Sequence, residues 1–287
     1  MDYKLKPSAL DYFTTLVQSD DEFPLLETAI SLAQDEFPAL DIQQVLDDVD
    51  VMCAKLKRRL MANAEPLDKL RELNHFFYEE LRFAGNVNHY DDPHNSFINM
   101  VLTKRLGIPI SLAVLWLELG QSMGLRVHGV SFPGHFLVKL DLTYPQEGHV
   151  VLDPFSGESL SRDDLAERLI PWLHGAKPGR PQAISDDALA YHLEPASPRD
   201  IIARMLRNLK EIHQSQQDWA RLIAVLDRML LVNPKSWPDY RDRGLARAAQ
   251  GQPRRALSDL ETYLAHAFDA LDRQAILERV AEIQQLG

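Results

Sequence analysis

From Asn95 to Asp153 the chain reads NSFINMVLTKRLGIPISLAVLWLELGQSMGLRVHGVSFPGHFLVKLDLTYPQEGHVVLD. Apolar residues recur at helical spacing in two runs, which end at Leu106-Gly107 and Met123-Gly124, two stop signals. Two strand-like runs follow. The first begins with Gly134-His135 and the second ends on Asp153-Pro154. Paired antiparallel, they bring an imidazole and a carboxylate side by side. That is the base and orienter of nucleophilic catalysis, which still needs a nucleophile.

The second helix starts with Pro109, a residue suited to the first turn, and Ser111 sits on that turn. Leu112, Leu115, Trp116 and Leu119 form one apolar face, and Trp116 reads as core. Free amides and a partial positive charge at a helix start favour an oxyanion there, so Ser111 is the candidate nucleophile. An ordinary serine satisfying a first-turn amide is the simpler reading of the same position. Upstream, AGNVNHYDDPHN from Ala84 to Asn95 is loop chemistry. His89, Asp91, Asp92 and His94 are metal-ligand types, but their spacing matches no familiar site, and neither metal nor cofactor is expected. Asn95 either orients this loop and donates to a bound carbonyl, or caps the next helix together with Ser96.

Composition narrows the function. Of 287 residues 45% are hydrophobic and 25% charged, ordinary for a globular protein with room for two domains. A net charge of −11 without clustered Lys and Arg argues against nucleic-acid binding. The apolar run around Leu112 to Leu119 is too short to cross a bilayer, and the start MDYKLKP has no signal-like apolar core, so a cytoplasmic location is expected. Cys53, the one cysteine, falls on the apolar face that Ile42, Val45, Leu46, Val49 and Met52 define, and reads as core.

Residues 1–90 read as a helical wrap. Ser8 caps one helix, Phe23-Pro24 opens another, Asp41 leads into a third and Pro66 starts a fourth that runs to Leu81. Residues 91–175 form the core of the first domain. The Pro- and Gly-rich stretch from His174 to Asp186 reads as an exposed connection, and the domain boundary falls near Ala196, giving domains 1–195 and 196–287. Beyond it, Trp237, Tyr240, Gly244, Leu245, Ala248, Ala256, Leu257, Leu260 and Leu264 fit tetratricopeptide spacing, with small residues where paired helices touch. A degenerate copy precedes them and a final helix, Leu271 to Leu286, closes the chain. The fold class is α+β followed by an all-α tail.

The succession of a helix start, GLRVHGV, GHFLVKL and VVLDPF resembles the core of the transglutaminase-like, papain-like fold. In that family a Cys begins the helix, a His opens the next strand segment and an Asp lies in a following LDP run. The resemblance thus assigns the histidine to His135 and the aspartate to Asp153, while the Cys position falls at or beside Ser111 and is not Cys. YDDPHNS, RLGIPISL, FPGHFLV and LDPFSG, with the helical tail, resemble more closely the SirB1 family, in which such a domain precedes tetratricopeptide-type repeats. The resemblance implies a bacterial regulatory protein. Two functions follow: a module that binds a protein or peptide through the cleft and the repeats, or an acyl hydrolase or transferase using Ser111, His135 and Asp153, with Asn95 beside the substrate.

Overall fold

The computed structural model describes residues 7–21, 23–61, 63–143, 147–173 and 184–286; most of the polar stretch that begins at His174 lies outside them. In chain order the elements are α1 (Ala9–Leu16), α2 (Leu25–Ser31), α3 (Ile42–Lys57), α4 (Pro66–Asn74) with a π-helical extension His75–Glu80, and β1 (Ala84–Gly85). A 3-10 turn (Pro93–Ser96) leads to α5 (Ile98–Lys104), β2 (Leu106–Gly107) and α6 (Pro109–Ser122). Then come β3 (Val127–Val130), β4 (Leu137–Leu142), β5 (Gly148–Leu152), β6 (Ser159–Leu160), α7 (Arg162–Leu169) with the 3-10 turn Ile170–Trp172, and α8 (Asp186–His192). Five helices finish the described chain: α9 (Pro198–Ser215), α10 (Trp219–Val232), α11 (Trp237–Ala249), α12 (Pro253–His266) and α13 (Arg273–Leu286). None of the described helices is long and apolar enough to cross a membrane.

Two compact units divide the chain. One comprises Pro24–Ala33 and Ala39–Ile201; the other comprises Met1–Phe23, Gln34–Pro38 and Ile202–Gly287.

The first unit is organised around α6. Ile110 and Leu112 through Leu117 are all buried, so this helix is apolar on every side, as a central helix must be. It packs against α2, α3, α4 and α5 and against β3 and β4. Trp116 is core, its indole N–H donating to Asn74 Oδ1 at 3.0 Å. Local signals set the surrounding helices: Asp41 caps α3 through the Gln44 amide, and Pro66 opens α4. Cys53 is buried on α3, and burial pushes its thiol up, outweighing a hydrogen bond with Ser122. Such a thiol is a poor nucleophile.

The four-stranded sheet runs β3-β4-β5-β6, antiparallel throughout, with Val130 opposite Leu137 and Val138 opposite Leu152. Val130, Leu137 and Val151 meet Leu165 and Leu169 of α7 and Leu189 of α8, which form a second core layer with them. A separate two-stranded parallel pairing of β1 with β2 sets Gly85 beside Gly107.

In the second unit α11 packs on both α10 and α12, and α12 on α13. At Gly244 α11 comes close to α12: a Cβ there would stand 2.8 Å from Leu260. Four side chains tie three helices together, Asp227 and Asp259 each accepting from Arg243 and from Arg247 at 2.7–3.1 Å. Helix α1 belongs to this unit, and the Arg228 guanidinium lies 5.6 Å from the Phe13 ring centre while pairing with Asp35.

Candidate functional site

Ser111 lies on the first turn of α6, where the sequence puts it, and it is fully buried. Its hydroxyl donates to the Asn95 carbonyl at 2.6 Å and accepts from the Ile108 amide at 3.1 Å. A serine hydroxyl has one proton, and here the shorter contact takes it. Gly107 is glycine because Ser111 Oγ would stand 2.8 Å from any Cβ at that position.

Asn95 is the other half of this tie. Its side-chain amide donates to the carbonyls of His89 and Tyr90, at 2.6 and 3.1 Å, and its Oδ1 accepts from Asn86 Nδ2 at 2.9 Å. Asn86 Oδ1 in turn accepts from the His89 amide. All the hydrogen-bonding capacity of Asn95 is thus turned inward, folding residues 86–95 into a closed loop. Asn95 caps no helix: Asp92 caps the 3-10 turn through the His94 amide, and α5 starts after Phe97 with no side-chain cap. Asp92 also bonds the His94 ring at 2.8 Å and pairs with Lys104 at 3.7 Å. Among the described residues no group of three or more His, Cys, Asp and Glu is arranged to hold a metal ion. At the loop tip Val87 is 76% exposed and Tyr90 51%.

The loop is joined to the turn after β5. The Gly85 amide donates to Phe155 O at 3.0 Å, and the Phe155 ring lies so close to Gly85 that a Cβ there would overlap it. Tyr90 and Phe155 face each other with ring centres 6.1 Å apart. Beneath the turn Tyr78 donates to Pro154 O at 3.2 Å and fills the space beside Gly157 (φ +80°). Burial, and secondarily the charge of Asp153, push the Tyr78 phenol well above its ordinary range, so it stays a neutral donor.

Asp153 immediately follows β5, at the start of this turn. Its Oδ1 accepts from the Phe155 amide at 3.0 Å and its Oδ2 pairs with Arg168 Nη1 of α7 at 2.9 Å. His135 is half-buried and lies two residues before β4. The strand starts at Leu137, not at Gly134-His135, because Gly134 at φ +71° and the His135 amide bonded to Phe132 O make a turn there. Trp172 covers this turn, its ring 2.5 Å from where a Cβ of Gly134 would be. The β4–β5 register ends with Val138 opposite Leu152; Asp153 follows that last pair and His135 lies in the turn before β4. Asp153 is bonded to the Phe155 amide and to Arg168, and Ser111 to Asn95 and Ile108.

Sequence reasoning missed Asn86, Arg168 and Trp172. Arg168 and Trp172 act across long sequence separations, with no local pattern to announce them.

The second unit carries a groove of about 440 Å³ lined by α9, α10 and α11, with Arg207, Lys210, Gln214, Asn233, Ser236 and Asp242 on its wall. Lys210 bridges Asp239 and Asp242 at 2.7 and 2.6 Å; burial alone would lower its pKa, but the two carboxylates outweigh that and raise it.

A central buried helix beside an antiparallel sheet, with paired helices after it, is the architecture of a transglutaminase-like domain followed by repeats. The transglutaminase-like superfamily model matches residues 43–207 and a tetratricopeptide repeat model matches residues 209–281. The chain is 38% identical over 261 residues to a UPF0162 protein of Xylella fastidiosa, covering 89% of this chain and 88% of that one. A UPF0162 protein of Vibrio cholerae is 29% identical over 86% of this chain and 87% of its own length. Mouse F-box only protein 21 is 30% identical over 146 residues, 43% of this chain and 23% of that protein. No solved structure matches. The chain belongs to the transglutaminase-like superfamily, with UPF0162 proteins as its relatives, in keeping with the resemblance to the SirB1 family.

Proposed function

We propose that this protein is a binding and regulatory module that has left acyl chemistry behind. It engages a protein or peptide segment at the 86–95 loop and the sheet end beside it, and offers a second surface in the groove of its repeats. The observation that carries this reading is the hydroxyl of Ser111, buried and donated to a backbone carbonyl rather than to an imidazole. A nucleophile needs its base within hydrogen-bond reach and a path for the substrate. The exposed apolar side chains of Val87 and Tyr90, on a loop closed by its own asparagines, support a rigid recognition surface. The tetratricopeptide match supports a protein rather than a small-molecule partner.

The test has two arms. Affinity capture with the wild-type chain, Tyr90→Ala and Arg207→Ala should recover a partner that binds the purified wild type and loses at least one variant. Exposure to a fluorophosphonate probe should give no label that depends on Ser111 or His135. A label removed by Ser111→Ala and by His135→Ala would replace this reading with the hydrolase that uses Ser111, His135 and Asp153.

A further inference from the structure

Among the described residues the four-stranded sheet ends on β6, which has β5 on one side and no strand on the other. The Asp153 amide donates to Glu158 O at 2.9 Å, and the register continues as Leu152 opposite Ser159 and Val151 opposite Leu160. Hydrogen-bonded and non-bonded pairs alternate along an antiparallel ladder, so Leu152–Ser159 is a non-bonded pair and the N–H and C=O of Ser159 point away from β5. Ser159 is exposed, and among the described residues nothing pairs with these two groups. A depression of about 600 Å³ opens along this edge, between β6 and α7, lined by Glu158, Ser159, Leu160, Asp164, Glu167 and Arg168. Arg168 is the one cation of this lining and already pairs with Asp153, so the three carboxylates leave the depression negative. Hydrogen bonds from the Ser161 hydroxyl and amide hold the Asp164 carboxyl below its usual range. An open strand edge beside a pocket accepts a further strand, and the carboxylates decide which kind.

We propose that β6 and the depression beside it form a docking site for an extended, basic segment of a partner protein, which adds to the sheet as a further strand. Ser159 gives one main-chain hydrogen bond and accepts another, holding the segment against the edge. Side chains of an added strand alternate between two faces, so every second one turns into the depression, where Glu158, Asp164 and Glu167 receive lysine or arginine. A second copy of this chain is a poor occupant. It would bring the same carboxylates to the edge, and a strand of two residues offers too little ladder for two such edges to pair. Nucleic acid is repelled by the same charges. The surface shares no residue with the 86–95 loop or with the groove of the repeats, so it goes beyond the binding reading above and is tested apart from it.

Fluorescence anisotropy of the full chain with a short fluorescein-labelled peptide of alternating lysine and valine tests this. The wild type should bind it saturably, and more weakly as salt rises. Ser159→Pro removes the outward N–H, a change that an edge strand tolerates, and should weaken binding about fivefold, the factor one net hydrogen bond confers. The same peptide N-methylated along its backbone keeps its charges and loses its main-chain donors, and should bind the wild type about fivefold more weakly too. Glu158→Gln with Glu167→Gln should weaken binding and flatten its salt dependence. Asp47→Asn with Asp48→Asn, which removes the same charge from the exposed face of α3, should not. Absence of saturable binding overturns the proposal, and so does equal loss in the two double variants. Binding indifferent to Ser159→Pro or, where that variant does not fold, to N-methylation is attraction between charges without strand addition, and overturns it as well.

Discussion

The Ser111 hydroxyl and the Asn95 carbonyl are 2.6 Å apart, a bond between the first turn of the central helix and the end of the 86–95 loop. Around it, Asn95 holds two carbonyls of that loop and accepts from Asn86. Ser111, Asn95 and Asn86 are each 8% exposed or less, so water does not readily replace a lost partner among them.

Ser111→Ala should therefore behave as a structural lesion. It leaves the Asn95 carbonyl and the Ile108 amide buried without their partner, at a cost of about 1–3 kcal/mol. Urea unfolding of wild type and variant measures it. A neutral Ser111→Ala would mean that the loop is held by something other than this bond.

Gly134→Ala should cost about 1–3 kcal/mol through its left-handed backbone and should also push Trp172 off the turn, because the added Cβ would overlap the indole. Thermal unfolding reads the first effect and indole fluorescence the second. A normal emission spectrum with a lowered Tm would separate backbone strain from displacement of the ring.

Asp259→Ala should be among the most damaging charge deletions in the repeat unit. Its side chain is 5% exposed and pairs with both Arg243 and Arg247, leaving two largely buried guanidiniums to share Asp227. Removing one member of such a buried network costs about 3–5 kcal/mol. Asp227→Ala, at a more exposed carboxylate, should cost less. Denaturant titrations of the two variants, side by side, should rank them in that order.

Acid should weaken the repeat unit through His213. Burial, the largest influence, holds its imidazole below the usual 6.5; Asp218 and Glu36 pull it up, and Arg221 pushes it down. Its Nδ1 has no partner. With the folded value depressed, the unfolded chain takes up the proton first, so stability falls as pH drops below about 6.5 and levels off below the folded value. Melting curves between pH 7.5 and 5 should show a shallower slope for His213→Gln than for the wild type, and parallel slopes would remove this residue from the account.

The parts legible in the sequence are those whose cause is local. The apolar run of α6, the caps at Ser8 and Asp41, Pro66 at the start of α4 and the small residue at Gly244 each act on neighbours within a turn or on one packed face. The site was legible as a set of stations but not as a set of bonds. Ser111 finds its acceptor on a loop that periodicity does not describe. Asp153 finds its cation on α7, past another strand. The start of β4 moved from Gly134 to Leu137 because one glycine adopts a left-handed turn, which alternation of apolar residues does not register.

The bond from Ser111 to Asn95 also bears on evolutionary reversibility. Installing the cysteine that the family resemblance places at the head of this helix would exchange a strong donor oxygen for a larger, weaker one. The first consequence would be a loosened loop, well before any thiol chemistry began. An ancestor or descendant with that thiol would need a different fastening for residues 86–95, so a change at position 111 calls first for a change at Asn95.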